Sequence, residues 1–389
     1  MSRIVRLAAR GDGIDEAGGF HALTAPGDMI SDGVITPGPH RVAPACTHFQ
    51  RCGGCQLQHI DDASYADFLV DRIAGALAAQ GLSAEIVTPH LSPPGTRRRV
   101  ALRALRRGKQ VMLGFAEAGS HNLIDLKQCP VMHPDLFALL RPLRAMLPHL
   151  VRDRRIADLR MTMTDQGVDL LISGVEAEGL AAAEALSDFA AQHKLARLSL
   201  DEGYGPTVRW EPDPVTVRLG GVAVALPEGA FLQATADGEA ALVRAVCDAV
   251  TGPAIDLFAG LGTFTFASGA LHAVEGARDA IMALQSAANQ AGLLIKGEHR
   301  DLFRRPMMAA ELKPYQSVII DPPRAGAKEQ IAEIAAAQVP VIASVSCNPA
   351  TFARDAKMLV DAGYRIDWIR PVGQFRWSTH AELAARFSL

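Results

Sequence analysis

From Pro227 onward the chain alternates strictly between short apolar runs and helical stretches, a pattern that specifies a doubly wound parallel sheet with helices on its faces. In such a sheet, ligands bind outside the carboxyl ends of the strands. Four runs deliver polar chemistry to that edge. The run Ala254-Ile255-Asp256-Leu257-Phe258-Ala259-Gly260-Leu261-Gly262-Thr263-Phe264 passes from a strand through a glycine-containing turn into a helix, and Val274-Glu275-Gly276 ends the next strand in an acid. Val318-Ile319-Ile320 runs into Asp321-Pro322-Pro323-Arg324, and Val339 to Val345 runs into Ser346-Cys347-Asn348-Pro349. Proline has no amide hydrogen and biases the preceding residue away from helix, so Cys347 is expected on a sharp turn at a strand end. A nucleophilic thiol is one reading of that position. A buried structural thiol is the ordinary one for an isolated cysteine.

A glycine turn after one strand, with an acid closing the next, suits a nucleotide-like cofactor whose ribose hydroxyls meet the carboxylate. Only Gly260 and Gly262 are present, followed by Thr263, so the three-glycine pyrophosphate pattern is missing. That weakens a nicotinamide dinucleotide and favours S-adenosylmethionine, which has no pyrophosphate. Asp321 sits on a rigid diproline rim, and Arg324 is suited to a phosphate or a carboxylate. Near the end, His380 and Glu382 are two apart, so an extended segment would turn both side chains the same way. Alternatively, Glu382 is a helix-surface acid.

Upstream, residues 1 to about 45 read as a few short strands, too few to close a five-stranded barrel. Cys46, Cys52 and Cys55 then fall in a C-x5-C-x2-C loop with Gly53 and Gly54 between the last two, and Cys129 is the candidate fourth ligand. Four thiolates fit tetrahedral zinc or an iron–sulfur cluster. Three clustered cysteines plus one distant resemble cubane ligation more than the paired spacing of zinc sites. Unliganded cysteines remain an alternative, and His48 and His59 are further candidate ligands or ordinary loop histidines. A helix is expected over 63 to 80, followed by Arg97, Arg98, Arg99, Arg103, Arg106, Arg107 and Lys109 with no acid among them, a solvated face or a phosphate-facing strand. Helices over Pro134 to Leu147 and Glu176 to His193, with strands around them, predict a mixed α+β region. The 389 residues, 49% hydrophobic and 21% charged with a formal net charge of −3, suit several globular domains and exclude wholesale nucleic-acid coating. No uninterrupted apolar run of about 18 residues occurs, and the amino terminus lacks a signal-peptide core, so a soluble cytoplasmic monomer with no membrane partner is expected.

Together, the cysteine loop with Gln58-His59, Phe231-Leu232-Gln233, Asp256 to Phe264, Asp321 to Arg324, Ser346 to Pro349 and His380-Ala381-Glu382 resemble the RNA 5-methyluridine methyltransferases, in order from Cys46 to Glu382. The iron–sulfur loop is similar to that of the branch acting on 23S ribosomal RNA. The resemblance implies an abbreviated RNA-binding module over 1–45, an iron–sulfur loop over 46–60, a central α+β RNA-binding domain over 61–225 and a Rossmann-like methyltransferase domain over 226–389. It implies Cys347 as nucleophile at uracil C6 and Glu382 as base for the C5 proton. By similarity, Gln233, Phe258, Thr263, Glu275, Asp301 and Asp321 contact S-adenosylmethionine, and Cys46, Cys52, Cys55 and Cys129 ligate a [4Fe-4S] cluster. The chain departs from the family at Thr235 and Thr263, where asparagine is usual. A transfer-RNA uridine methyltransferase and a non-catalytic iron–sulfur RNA-binding factor are the alternatives.

Overall fold

The computed structural model describes residues 1–389. Its carboxyl-terminal half is an eight-stranded sheet, in the order Lys296–His299, His272–Glu275, Ala254–Leu257, Ser317–Ile320, Val341–Ser346, Glu382–Ser388, Arg365–Gly373, His90–Leu91. The first five strands are parallel, and Ala254–Leu257, Ser317–Ile320 and Val341–Ser346 in the middle of the sheet are buried along their whole length. The expected all-parallel sheet is corrected at one strand. Glu382–Ser388 inserts between Val341–Ser346 and Arg365–Gly373, antiparallel to both. An antiparallel strand begins where its parallel neighbours end, so the first residue of this one, Glu382, lies at the ligand-binding edge.

A second sheet of seven strands carries the middle of the chain, ordered Pro206–Trp210, Leu195–Asp201, Gly167–Ser173, Ile156–Thr164, Arg99–Arg107, Gln110–Ala116, Leu123–Asp125. Helix Gly179–Gln192 packs against Leu195–Asp201. The helix expected over Pro134 to Leu147 is broken into Pro134–Ala138 and Leu140–Met146, because Pro142 has no N–H to give the preceding turn. Five short strands between Ser2 and Thr36 form a third sheet, whose outermost strands Phe20–His21 and Val34–Thr36 do not pair with one another.

Packing does not follow the sequence boundaries at 61 and 225. Helix Asp62–Ala78, capped by Asp61 accepting from the Ser64 N–H at 2.8 Å, packs on helix Pro349–Asp361 and strand Arg365–Gly373. Its Ile73 and Leu77 join the core of the carboxyl-terminal sheet, and His90–Leu91 extends that sheet. The hairpin Thr216–Leu219 and Val222–Ala225 likewise packs under the helices of the catalytic half. Ile73→Ala, which empties a fully buried position at this junction, should lower stability by about 2–5 kcal/mol in urea unfolding. A loss below about 1 kcal/mol would contradict the assignment of this helix to the catalytic core.

Candidate active site

Strand Val341–Ser346 delivers Cys347, and Asn348 stops it by capping the next helix, its Oδ1 accepting from the Ala350 N–H at 3.1 Å. Pro349 occupies the first helical position, where a missing N–H costs nothing. Ser346 lies opposite Leu383 in the antiparallel register, so Cys347 and Glu382 face one another at the next step. Glu382 is 5% exposed. Burial, then the Asp321 carboxylate, push its pKa up to about 8, against a hydrogen bond donated by Gln374. The Cys347 thiol is also raised, by burial first and then by Glu382 and Asp321. The protonated thiol is therefore the resting state.

The expected pairing of His380 with Glu382 on one side is corrected. The strand starts only at Glu382, so His380 stays in the preceding loop, where it tilts against Phe375 at 5.5 Å. Partial burial, then the guanidinium groups of Arg324, Arg97 and Arg72, hold its imidazole below the ordinary range. Three arginines from three separate segments thus lie within electrostatic reach of His380.

The donor side of the cleft is made by neighbouring strand ends. Gly262 holds a φ of +94°, and a Cβ there would lie 2.6 Å from the Phe266 ring, so the turn requires glycine. Glu275 closes the turn: its Oε2 accepts from the Gly260 N–H at 2.8 Å and its Oε1 from the Ala277 N–H at 2.7 Å. Phe258, in the left-handed region at φ +61°, tilts against Phe303 at 5.4 Å, and Thr263 opens the following helix. Asp301 is exposed after Lys296–His299, its Oδ1 accepting from the Phe303 N–H at 3.0 Å. Asp321 keeps part of its surface at the rim, yet enclosure by protein and then Glu275 push it up to about 7. Asp256, fully buried and held by the Thr265 hydroxyl at 2.6 Å, is pushed up to about 7 by burial, with Asp321 and Glu275 adding to it. Such crowding of acids favours a cationic occupant.

The four cysteines line one cavity of about 650 Å³, which reaches Phe375 and His380. All four are free thiols. Gln58 accepts from the Cys46 N–H at 3.0 Å, and His48 accepts from the Lys127 N–H at 2.9 Å, joining the loop to the Cys129 segment. His59 is turned away, bonded to the Thr24 carbonyl at 3.1 Å, so neither histidine lines the cavity. No three His, Cys, Asp or Glu side chains are gathered tightly enough to hold a single metal ion. The same loop braces the segment that precedes Glu382: the Gln56 and Leu57 N–H groups donate to the Trp377 carbonyl at 2.8 and 2.9 Å.

The basic run divides. Arg98 bonds Glu239 at 2.6 Å, and Arg106 caps the carbonyls of Pro148 and Val151 at 2.6 and 2.8 Å, so both are structural. Arg103 pairs with Asp158 at 3.4 Å on the surface. Arg97 and Arg99 have no acidic partner and, with Arg160, line a groove of about 300 Å³. Its one acid, Asp169, is taken by Arg197 through two bonds of 2.9 Å. Arg99 lies over the exposed Phe231 ring at 5.1 Å, and Arg97 over Phe375 at 5.5 Å. Sequence reasoning missed Arg160, which strand pairing brings in from a distant segment, and Gln374 and Phe375, which lie in the loop before His380 and match no recognisable motif.

Strand order and the acid-lined glycine turn define an α/β methyltransferase fold. Residues 222–386 match the family model described as tRNA (Uracil-5-)-methyltransferase. An RNA methyltransferase of Zymomonas mobilis is 50% identical over the full length of both chains, and one of Caulobacter vibrioides is 41% identical over 98% of each. The 23S rRNA (uracil(1939)-C(5))-methyltransferase RlmD of Pectobacterium atrosepticum is 29% identical over 91% of this chain and 82% of its own. In three dimensions the chain is similar to the Pyrococcus abyssi tRNA (uracil-54, C5)-methyltransferase in complex with S-adenosyl-L-homocysteine, with a TM-score of 0.75, full coverage of both chains and 22% identity. The chain belongs to the RNA methyltransferases. No helix is long and apolar enough to cross a membrane.

Because an ionised Glu382 holds the Cys347 thiol up, Glu382→Gln should lower that pKa and speed alkylation of Cys347 by iodoacetamide at a pH of about 8.5, where the wild-type carboxylate is mostly charged. Mass mapping of the labelled peptide reads the rate. Slower labelling in the variant would contradict the facing arrangement.

Proposed function

We propose that the protein methylates C5 of a uridine in 23S ribosomal RNA through a covalent adduct. The observation that carries this reading is Cys347 facing Glu382 across the antiparallel register, beside an acid-lined cofactor cleft. Uracil C5 is a weak nucleophile, so the Cys347 thiolate adds to C6 and turns the ring into an enolate. C5 then takes the sulfonium methyl, Glu382 accepts the C5 proton, and elimination restores the thiolate. Gln233, Phe258, Thr263, Glu275, Asp301 and Asp321 hold the donor, with Glu275 toward the ribose hydroxyls and Asp301 toward the adenine. Attack on the ring face requires the uridine to leave any stack. The groove of Arg97, Arg99 and Arg160, with Phe231 beside it, suits phosphates and an unstacked base. Choice of 23S RNA is supported by the 29% identity to RlmD.

Cys46, Cys52, Cys55 and Cys129 would hold a [4Fe-4S] cluster. Four free thiols on one cavity, three of them from one C-x5-C-x2-C loop and one from a distant segment, support this reading. Methyl transfer from a sulfonium needs no electrons, so the cluster's contribution is to brace the cysteine loop against Trp377 and the base segment.

Protein purified without oxygen should be brown and contain about four irons per chain, and Cys129→Ser should lose the colour. A colourless protein with one zinc would overturn the cluster. With labelled S-adenosylmethionine and total RNA from a strain lacking the gene, wild type should label 23S RNA. Cys347→Ala should fall by at least about 10³-fold while still binding S-adenosyl-L-homocysteine. Label confined to transfer RNA would overturn the substrate, and turnover by Cys347→Ala would overturn the nucleophile.

A further inference from the structure

We propose that Gln374 is the positioning residue for the catalytic base, fixing which carboxylate oxygen of Glu382 faces the substrate and tying it to the Gln233 side chain. This rests on the reading of Glu382 as the base. Gln374 follows strand Arg365–Gly373, whose Val372 pairs with Glu382, and it is 1% exposed. Its Nε2 donates to Gln233 Oε1 at 2.6 Å and to Glu382 Oε2. Its Oε1 accepts from the Ala234 N–H at 2.8 Å and, more weakly, from the Thr235 N–H at 3.4 Å. A side-chain amide has two donors and two acceptor sites, and all four are used. A flipped amide would set oxygen against the Glu382 carboxylate and N–H against two N–H groups. The orientation is therefore fixed by the network.

The surroundings are shaped for this side chain. A Cβ at Gly238 would lie 2.6 Å from the Gln374 Cβ, so the helix Ala236–Ala249 passes close enough only as glycine. With Oε2 held, Glu382 Oε1 is left for the reaction. The C5–H bond breaks and its proton goes to that oxygen. The C–H electron pair forms C5=C6, and the C6–S pair returns to the Cys347 sulfur. A donated hydrogen bond also favours the charged carboxylate against burial and the Asp321 charge. Other titratable groups around Glu382 are Cys347, a neutral thiol at rest and bonded to C6 when the proton is removed, and two acids of the packed helix already closed into ion pairs, Asp237 with His90 at 2.8 Å and Glu239 with Arg98 at 2.6 Å. Gln374 is the group whose contact supports the charged form. Since the same amide grips Gln233, the donor side and the base share one support.

The test is Gln374→Met, similar in length but unable to donate. Turnover on uridine RNA should fall about 10- to 100-fold, and its rise with pH should move to higher pH. On 5-fluorouridine RNA, where C5 carries no proton to remove, the methylated covalent adduct should still form, slowed less than turnover on uridine RNA, which also shows that the variant is folded. Wild-type turnover and an unmoved pH midpoint in Gln374→Met, with Glu382→Gln inactive, would overturn this proposal alone. Wild-type turnover in Glu382→Gln would instead overturn the base. If Gln374→Met does not fold, Gln374→Asn, one methylene short of the contact, is read in the same way.

Discussion

The antiparallel insertion of Glu382–Ser388 between two parallel strands is the constraint on which the site depends. In a fully parallel sheet the first residue of that strand would lie at the amino edge, remote from Cys347. Reversal brings it to the carboxyl edge, one step beyond the Ser346–Leu383 pair that ends the ladder, on the side of Cys347. The chain must return between the two strands to do this, so residues 374–381 form a loop over the cleft. Helix Asp62–Ala78 and the cysteine loop both hold that loop: Tyr65 donates to the Phe375 carbonyl at 3.1 Å, and Gln56 and Leu57 to that of Trp377.

Electrostatics at the same edge oppose ionisation. Asp256, Asp321 and Glu382 are all raised by burial first; Asp321 adds to the shift of the other two, and Glu275 to those of Asp256 and Asp321. These are poor conditions for several carboxylates in the free protein. They become favourable once a sulfonium and an ammonium group enter, because each cation removes the repulsion that kept the acids protonated. On the RNA side the sign reverses. Arg97, Arg99 and Arg160 lack acidic partners and repel one another, so Arg99 is held below its ordinary range by burial and by its neighbours. Under the proposed function, these two clefts of opposite charge sort the cationic donor from the anionic substrate.

Much of this was legible in the sequence, since β/α alternation and the acids or cysteine closing each strand follow from local pattern. The turn at Cys347 followed from Asn348-Pro349, and the glycine turn at Gly260 and Gly262 from spacing. What stayed hidden depends on pairing between distant segments. Leu383 to Leu389 reads as an apolar run, but nothing local says it runs antiparallel. His380 therefore looked like a companion of Glu382, and Gln374 like a loop residue. The arginine run was visible as charge, yet which guanidinium groups are free depended on Glu239, Asp158 and the carbonyls of Pro148 and Val151. The packing of helix Asp62–Ala78 was hidden for a related reason: it is amphipathic whichever sheet it covers.

The central claim is that Cys347 and Glu382 act in sequence on one uracil ring. Intact-mass measurement of Glu382→Gln incubated with substrate RNA and S-adenosylmethionine tests it most directly. The account predicts a protein–RNA adduct through Cys347 that already carries the new methyl group, because addition and transfer proceed while proton removal does not. Free enzyme and unmodified RNA throughout, or released methylated product at the wild-type rate, would contradict it.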